Sequence, residues 1–422
     1  MGPARAARIE TVVRRRTPLL LKNFWYVLAE SASVTATPVK VRALAQDFAL
    51  FRRASDGAVV ALSDVCVHRM ASLSEGKVQG DCIRCPYHGW SYGADGACAH
   101  IPANPPGSPV PRRARVDSYP VQERYGWVWV FIGDLPEHER PAIPQLDGLD
   151  EPGWRAVRGE FAWRAGYTRV VENAVDVAHT PFLHQASFGN ADDPVMPPYE
   201  VVATPHALSA TVVLASPKPR GMSRLVMGGA STNTLLLRLF MPNITCLDST
   251  FANGWHMRLY LSNLPVDEGT TLTRFIQARN FLRSPLADGI ARRLSRQILR
   301  EDQATVESQR PPFVPMDLGA ELSTKSDALS IAYRKLLRSY AERGWELDVA
   351  DARRAYDEEG RIKLVPSPRR RAAETKGAWV LDEMAPRVQR RTDERAVTEA
   401  ATVDDRDRRA GAGAPSDGGE TL

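Results

Sequence analysis

The chain has 422 residues, 43% hydrophobic and 25% charged, with a mean hydropathy of −0.31; that is room for two or three domains with cores of their own. No run approaches the ~18 uncharged apolar residues of a membrane span, and five cysteines, four of them between positions 66 and 98, suit a metal better than a disulfide framework. The net charge of +5 lies mostly in Arg5, Arg8, Arg14, Arg15 and Arg16, so it describes an N-terminal arm and not a nucleic-acid-binding face.

Residues 1–20 form that arm. Arg14-Arg15-Arg16 before Leu19-Leu20-Leu21 has the outline of a twin-arginine leader. However, Lys22 and Asn23 break the apolar run, and Phe24-Trp25-Tyr26 is too bulky for a cleavable signal. Gly2 is followed by Pro3, a poor myristoylation context. The expected location is cytoplasmic.

From 21 to 140 the pattern is β. Phe48-Ala49-Leu50-Phe51, Val59-Val60-Ala61-Leu62 and Trp127-Val128-Trp129-Val130-Phe131-Ile132 are short β-prone runs separated by Gly, Asp and Pro clusters. Residues 101–111, with five prolines, predict an irregular loop, and the Pro-rich stretch 134–144 predicts a linker. A second domain, 141–366, opens with a helix at about 168–180 and continues through a strand-rich middle at 200–280. It closes with helices at about 286–309 and 325–343. Residues 367–422 hold eleven basic and eleven acidic side chains in no period and with little apolar content, so a disordered tail is expected.

The strongest local signal is Cys66-Val67-His68, sixteen residues, then Cys85-Pro86-Tyr87-His88. Zinc fingers place Cys with Cys and His with His. Here each arm mixes one thiolate with one imidazole, which suits a [2Fe–2S] cluster whose one iron takes both thiolates and the other both imidazoles. Gly89, Gly93 and Gly96 suit a tight loop around such a group. Cys82 and Cys98 match neither arm and read as ordinary small buried residues.

The second constellation is Asn173, Asp176, His179 and His184. The first three are spaced by three, which on a helix keeps them near one face; Pro181 is expected to end that helix and let His184 turn back. Two imidazoles plus a carboxylate leave positions open for O2 on non-haem Fe(II). In the helix at 288–309, Leu294, Ile298, Asp302 and Val306 recur every four residues, which puts Asp302 on the apolar stripe, while Glu301, about 100° away, reads as surface. A carboxylate on a buried stripe needs an ion pair or a metal. Beside the histidine pair, Asp302 is taken as the third iron ligand.

At these residues the chain resembles the Rieske non-haem iron oxygenases, in the branch of vanillate demethylases, aminopyrrolnitrin oxygenase and pheophorbide oxygenases. The similarity runs from about Asn23 to about Arg338. Met70-Ala71-Ser72-Leu73 stands where the family commonly has a glycine-containing turn, and the C-terminal Cys-x-x-Cys of the plant pheophorbide enzymes is not found.

The resemblance implies an α+β chain: an all-β Rieske domain, then a helix-grip-like catalytic domain. Cys66, His68, Cys85 and His88 would hold the cluster, and His179, His184 and Asp302 the iron. Asp176 would bridge to a Rieske histidine, and Asn173 would sit close to the iron. It further implies a homotrimer that oxidises an aromatic or alicyclic small molecule with O2. Electrons come ultimately from NAD(P)H; with no G-x-G-x-x-G fingerprint in the chain, the reductase or ferredoxin is a separate protein. Two other readings need less of the sequence: a Rieske electron-transfer protein, served by the first 140 residues, and a zinc-stabilised binding module. Apolar side chains in 185–280, among them Phe188, Met196, Met227, Leu236, Phe240, Phe251 and Trp255, are candidate pocket walls, with core packing as their commoner use.

Overall fold

The computed structural model describes residues 19–387, apart from 216, 217, 223 and 225–231. The N-terminal part carries β1 (Phe24–Glu30), β2 (Val39–Ala43), β3 (Gln46–Arg52), β4 (Val59–Ser63), β5 (Lys77–Gln79), β6 (Cys82–Arg84), β7 (Ser91–Tyr92), β8 (Cys98–His100), β9 (Ser118–Tyr119), β10 (Val121–Arg124) and β11 (Trp127–Ile132). They form three small antiparallel sheets, ordered β1-β11-β10, β2-β3-β4-β9 and β5-β6-β7-β8.

β11 is apolar at every position because both of its faces are covered. Val128, Val130 and Ile132 join a core with Tyr333, Leu337 and Tyr340. Trp127, Trp129 and Phe131 join another with Ile143, Tyr260 and Ile276. The 134–144 segment is pinned as it passes, since Trp25 Nε1 donates to the Pro141 carbonyl at 2.8 Å.

The second part is built on a seven-stranded antiparallel sheet. Its strands are β12 (Arg155–Trp163), β13 (Val201–Ala203), β14 (Ala207–Ala215), β15 (Thr232–Phe240), β16 (Ile244–Phe251), β17 (His256–Pro265) and β18 (Thr271–Arg279). β13 to β18 follow one another as a meander, and β12 closes the order beside β18. Helices α1 (Tyr167–Val175), α2 (Thr180–Leu183), α3 (Asp288–Ser308), α4 (Ala328–Glu342) and α5 (Val349–Glu359) accompany it. No described helix is long and apolar enough to cross a membrane.

The period of two along the strands decides which side chains meet the helices. Leu235, Leu237, Leu247, Leu259 and Leu261 point to the cavity between sheet and helices. Phe240 lies among the residues packed on the opposite core, so it is no pocket wall. Trp255 stacks on Phe281 with centroids 4.6 Å apart, and Met227 lies outside the described residues.

The expected disorder fails over residues 367–387. Arg370 donates twice to Asp117, at 2.8 and 2.7 Å, and Asp117 is 1% exposed. Ser367 Oγ donates to the same carboxylate at 2.8 Å, and β19 (Lys363–Leu364) pairs with β20 (Asp382–Glu383). Leu364 and Leu381 enter the core that holds Cys66 and Cys85. Composition missed this because the ordering is offset by charge-assisted bonds to a buried carboxylate, which leave no apolar period. Residues 388–422, the remainder of the expected tail, and the arm up to residue 18 lie outside the described residues.

Candidate functional sites

Two loops at one end of the N-terminal sheets carry the mixed Cys–His arms. Each is closed by the same backbone device: Met70 N–H donates to the Cys66 carbonyl at 2.9 Å, and Gly89 N–H to the Cys85 carbonyl at 3.1 Å. Both closing residues take positive φ, +59° at Met70 and +71° at Gly89. A glycine adopts that conformation freely, whereas a methionine there costs about 1 kcal/mol. The departure noted at Met70 therefore touches loop strain and no candidate ligand. Behind the first arm, Asp64 is 3% exposed and accepts from Ser74 N–H at 2.6 Å and from the hydroxyls of Ser72 and Ser74.

Cys66 and Cys85 are 1% and 3% exposed and both are free thiols, whereas His68 and His88 lie nearer the surface, their ring centroids 4.5 Å apart. Burial pushes the Cys66 thiol up, against the hydrogen bond it shares with Tyr92 at 3.2 Å. Burial, then His88 and Arg69, push the His68 imidazole down; its Nδ1 is buried without a partner. Two buried thiols beside two imidazoles are the donor set a [2Fe–2S] centre of mixed ligation requires. Cys98 is buried with its thiol toward the His100 carbonyl, and Cys82 is half-buried.

The second site differs locally from the sequence expectation. The helix that holds Asn173 stops at Val175, and Asp176 is already extended at φ −79°, ψ 123°. Its carboxylate accepts from the Ala178 N–H at 2.8 Å, the local bond that draws such residues out of helices. Pro181 does not end a helix; it stands in the first turn of α2, where a missing N–H costs nothing. His179 and His184 consequently flank a four-residue helix. Their Nε2 atoms are 3.3 Å apart, and Asp302 Oδ1 lies 3.5 and 3.4 Å from them. One ligand atom from each residue fits within 4.8 Å of the others.

Asp302 is 4% exposed and its Oδ1 has no hydrogen-bond partner. Burial pushes its carboxyl up, although His184 and His179 pull the other way. An unpaired buried carboxylate oxygen facing two imidazole nitrogens is costly without a cation, so the set fits a mononuclear metal. Asn173 lies within reach of Asp302 and lines the same cavity. Asp176 Oδ2 is 3.6 Å from His179 Nδ1, an ion-pair contact longer than a hydrogen bond.

Glu301 is not surface. Its side chain is 12% exposed and accepts from His184 Nδ1 at 2.8 Å, from Ser187 Oγ at 2.7 Å and from Gln297 at 2.9 Å. Burial alone would raise this carboxyl, but those bonds hold it below the ordinary glutamate value. The four-residue period marks only the centre of a helix's buried face; a residue 100° away still reaches a neighbour packed against its edge. α1 is held in turn by a buried ionic cluster, in which Arg334 meets Glu172 at 2.7 Å and Glu321 at 2.6 Å, and Arg169 meets Glu321 at 2.6 Å.

A thiol–imidazole pocket on a β domain and a two-histidine, one-aspartate set under an antiparallel sheet define an iron–sulfur-fed oxygenase. Residues 24–120 match the Rieske [2Fe-2S] domain family, and residues 163–343 match the vanillate O-demethylase oxygenase C-terminal domain. Methylxanthine N1-demethylase NdmA of Pseudomonas putida is 30% identical over 76% of this chain and 90% of its own length. The oxygenase component of dicamba O-demethylase from Stenotrophomonas maltophilia is 29% identical over 68% and 87%. A crystal structure of dicamba monooxygenase bound to dicamba superposes with a TM-score of 0.68 at 26% identity, covering 77% of this chain and all of that one.

The chain belongs to the Rieske non-haem iron oxygenases. It is a terminal oxygenase with a [2Fe–2S] cluster and a mononuclear iron, supplied with electrons by a separate protein.

Proposed function

We propose that Cys66, His68, Cys85 and His88 hold the cluster and that His179, His184 and Asp302 hold the iron, in an enzyme that hydroxylates, dealkylates or oxidatively cyclises an aromatic small molecule. The carrying observation is the unpaired, buried Oδ1 of Asp302 beside two imidazole Nε2 atoms. When bound, the cluster supplies a one-electron relay, and the iron supplies the centre where O2 is reduced.

The chain's own residues do the rest. Glu301 accepts the Nδ1 proton of His184, which leaves Nε2 free to face the metal. Trp163, Leu235, Leu247, Phe251 and Leu261 line a cavity suited to a planar apolar ring. The N-methyl and O-methyl chemistry in the names of two relatives makes oxidative demethylation the first reaction to test. We place the enzyme in the cytoplasm, with an NAD(P)H-linked reductase as electron source.

In the proposed homotrimer, the exposed His68–His88 face of one subunit seats against the Asp176 edge of the next, in a cyclic contact repeated at each junction. Purified protein should contain iron and acid-labile sulfide; zinc without sulfide would refute the ligand assignment. For the trimer, Cys85→Ala and His184→Ala should each be inactive alone and partly active when co-expressed in mixed oligomers. Demonstrably mixed oligomers that stay inactive, each variant keeping its other metal, would remove the inter-subunit contact.

A further inference from the structure

The sheet side of the catalytic cavity is apolar except at a few positions, and most of those are already committed. Asn263, fully buried, donates to the Asn243 carbonyl at 3.3 Å and accepts from Thr273 at 2.7 Å. Thr180, on the helix side, donates to the Val177 carbonyl at 2.5 Å. Asn233 is different. It lines the cavity, it is 8% exposed, and its Oδ1 is buried with no partner. Rotating the amide by 180° would change which atom is unpaired, but not the fact that one is.

β15 pairs with β16 so that Asn233 faces Phe251 and Leu235 faces Ser249. Asn233 and Ser249 are thus diagonal neighbours on one sheet face, roughly 7 Å apart, and both line the cavity. A buried amide oxygen without a protein partner costs free energy, and a ligand bearing the complementary groups removes that cost. The charge balance narrows the ligand further. Among the described residues, the cavity lining includes the carboxylates of Asp176 and Asp302 and neither lysine nor arginine. Ferrous iron bound to the set would be balanced by those two carboxylates, so an anionic substrate meets no net attraction while losing its hydration.

We propose that Asn233, seconded by Ser249, determines specificity by binding a neutral planar aromatic whose ring edge carries an adjacent N–H donor and C=O acceptor, the pattern of a lactam, a cyclic imide or a ring carboxamide. The polar edge is held at the sheet, and the opposite edge faces the helices that carry His179, His184 and Asp302. This rests on the reading of that cavity as the substrate chamber.

The test titrates the holoenzyme calorimetrically with three probes: quinolin-2(1H)-one, its N-methyl derivative and quinoline-2-carboxylate. Wild type should bind the lactam at least about tenfold more tightly than the N-methyl compound, with the carboxylate weaker still. Asn233→Ala, and the nearly isosteric Asn233→Leu, should bind both neutral probes alike, and Ser249→Ala should show a smaller loss of preference. Wild type that binds the carboxylate best, fails to bind the lactam, or does not distinguish the neutral pair overturns the proposal without any variant. A lactam preference that survives in Asn233→Ala or Asn233→Leu overturns the role of Asn233. Iron and sulfide measured on the same samples separate these results from failure of the underlying reading, which would appear as a missing metal centre.

Discussion

Glu301→Gln isolates one hydrogen bond at the candidate iron site. In the native chain the carboxylate takes the Nδ1 proton of His184 at 2.8 Å, and Ser187 and Gln297 hold it in place. The amide keeps the volume but lacks the charge, and it can present an N–H to Nδ1, favouring the tautomer whose Nε2 carries the proton. A hydrogen bond to a charged group contributes about 1.5–3 kcal/mol, and loss of such a partner behind a ligand histidine typically lowers metal affinity about 10–100-fold. Anaerobic Fe(II) titration of the metal-free mononuclear site should therefore show an affinity lower by one to two decades, while the visible cluster absorbance stays unchanged. The sign with pH follows from the carboxyl being held below its ordinary value of 4.5. Its contribution is complete above that value and disappears as pH falls through the lowered one, so the variant and wild type differ fully at pH 7. Equal Fe(II) affinity in the two proteins at pH 7 would refute the assignment of Glu301 as the group that orients His184.

Cys85→Ala should abolish the cluster spectrum yet leave Fe(II) binding at the second site, read by metal analysis against absorbance. Asp302→Ala should do the reverse, emptying the mononuclear site without bleaching the cluster. Asp176→Asn should retain both metals and the fold while losing nearly all turnover, since it removes the charge 3.6 Å from His179 without removing a ligand; full activity in the metallated variant would contradict that. Arg370→Ala leaves Asp117 buried without its guanidinium, and it should cost about 3–5 kcal/mol of stability in denaturant titration followed by cluster absorbance.

The parts of this molecule legible in the sequence are those that repeat a local rule. β3, β4 and β11 follow from β-prone runs, α3 from a four-residue apolar recurrence, and the mixed Cys–His arms from spacing alone. The burial of Asp302 is legible because it falls on the apolar stripe of α3. Glu301 was misplaced because a stripe has edges, and whether an edge residue is buried depends on what packs beside it; here that is the loop carrying His184 and Ser187. The helix break at Asp176 was misassigned to Pro181, since an aspartate that bonds its own downstream N–H competes with the helix without any change in composition. Asn233 gave no signal at all. Its unmet hydrogen bond exists only once β15 and β16 are registered and the helices close the chamber.

The salt bridge between Arg370 and Asp117 bears on how this enzyme can be recombined with its relatives. A chimera made by exchanging residues 21–140 as a block would move Asp117 and leave Arg370, Leu364 and Leu381 behind with another protein's catalytic domain. Arg112 and Arg113 would likewise lose the backbone carbonyls of Glu374 and Trp379 to which they donate. The exchangeable piece is discontinuous: the N-terminal sheets together with residues 362–384, joined to the catalytic domain at two seams instead of one. A library that crosses over at both seams keeps the carboxylate and its guanidinium in the same parent.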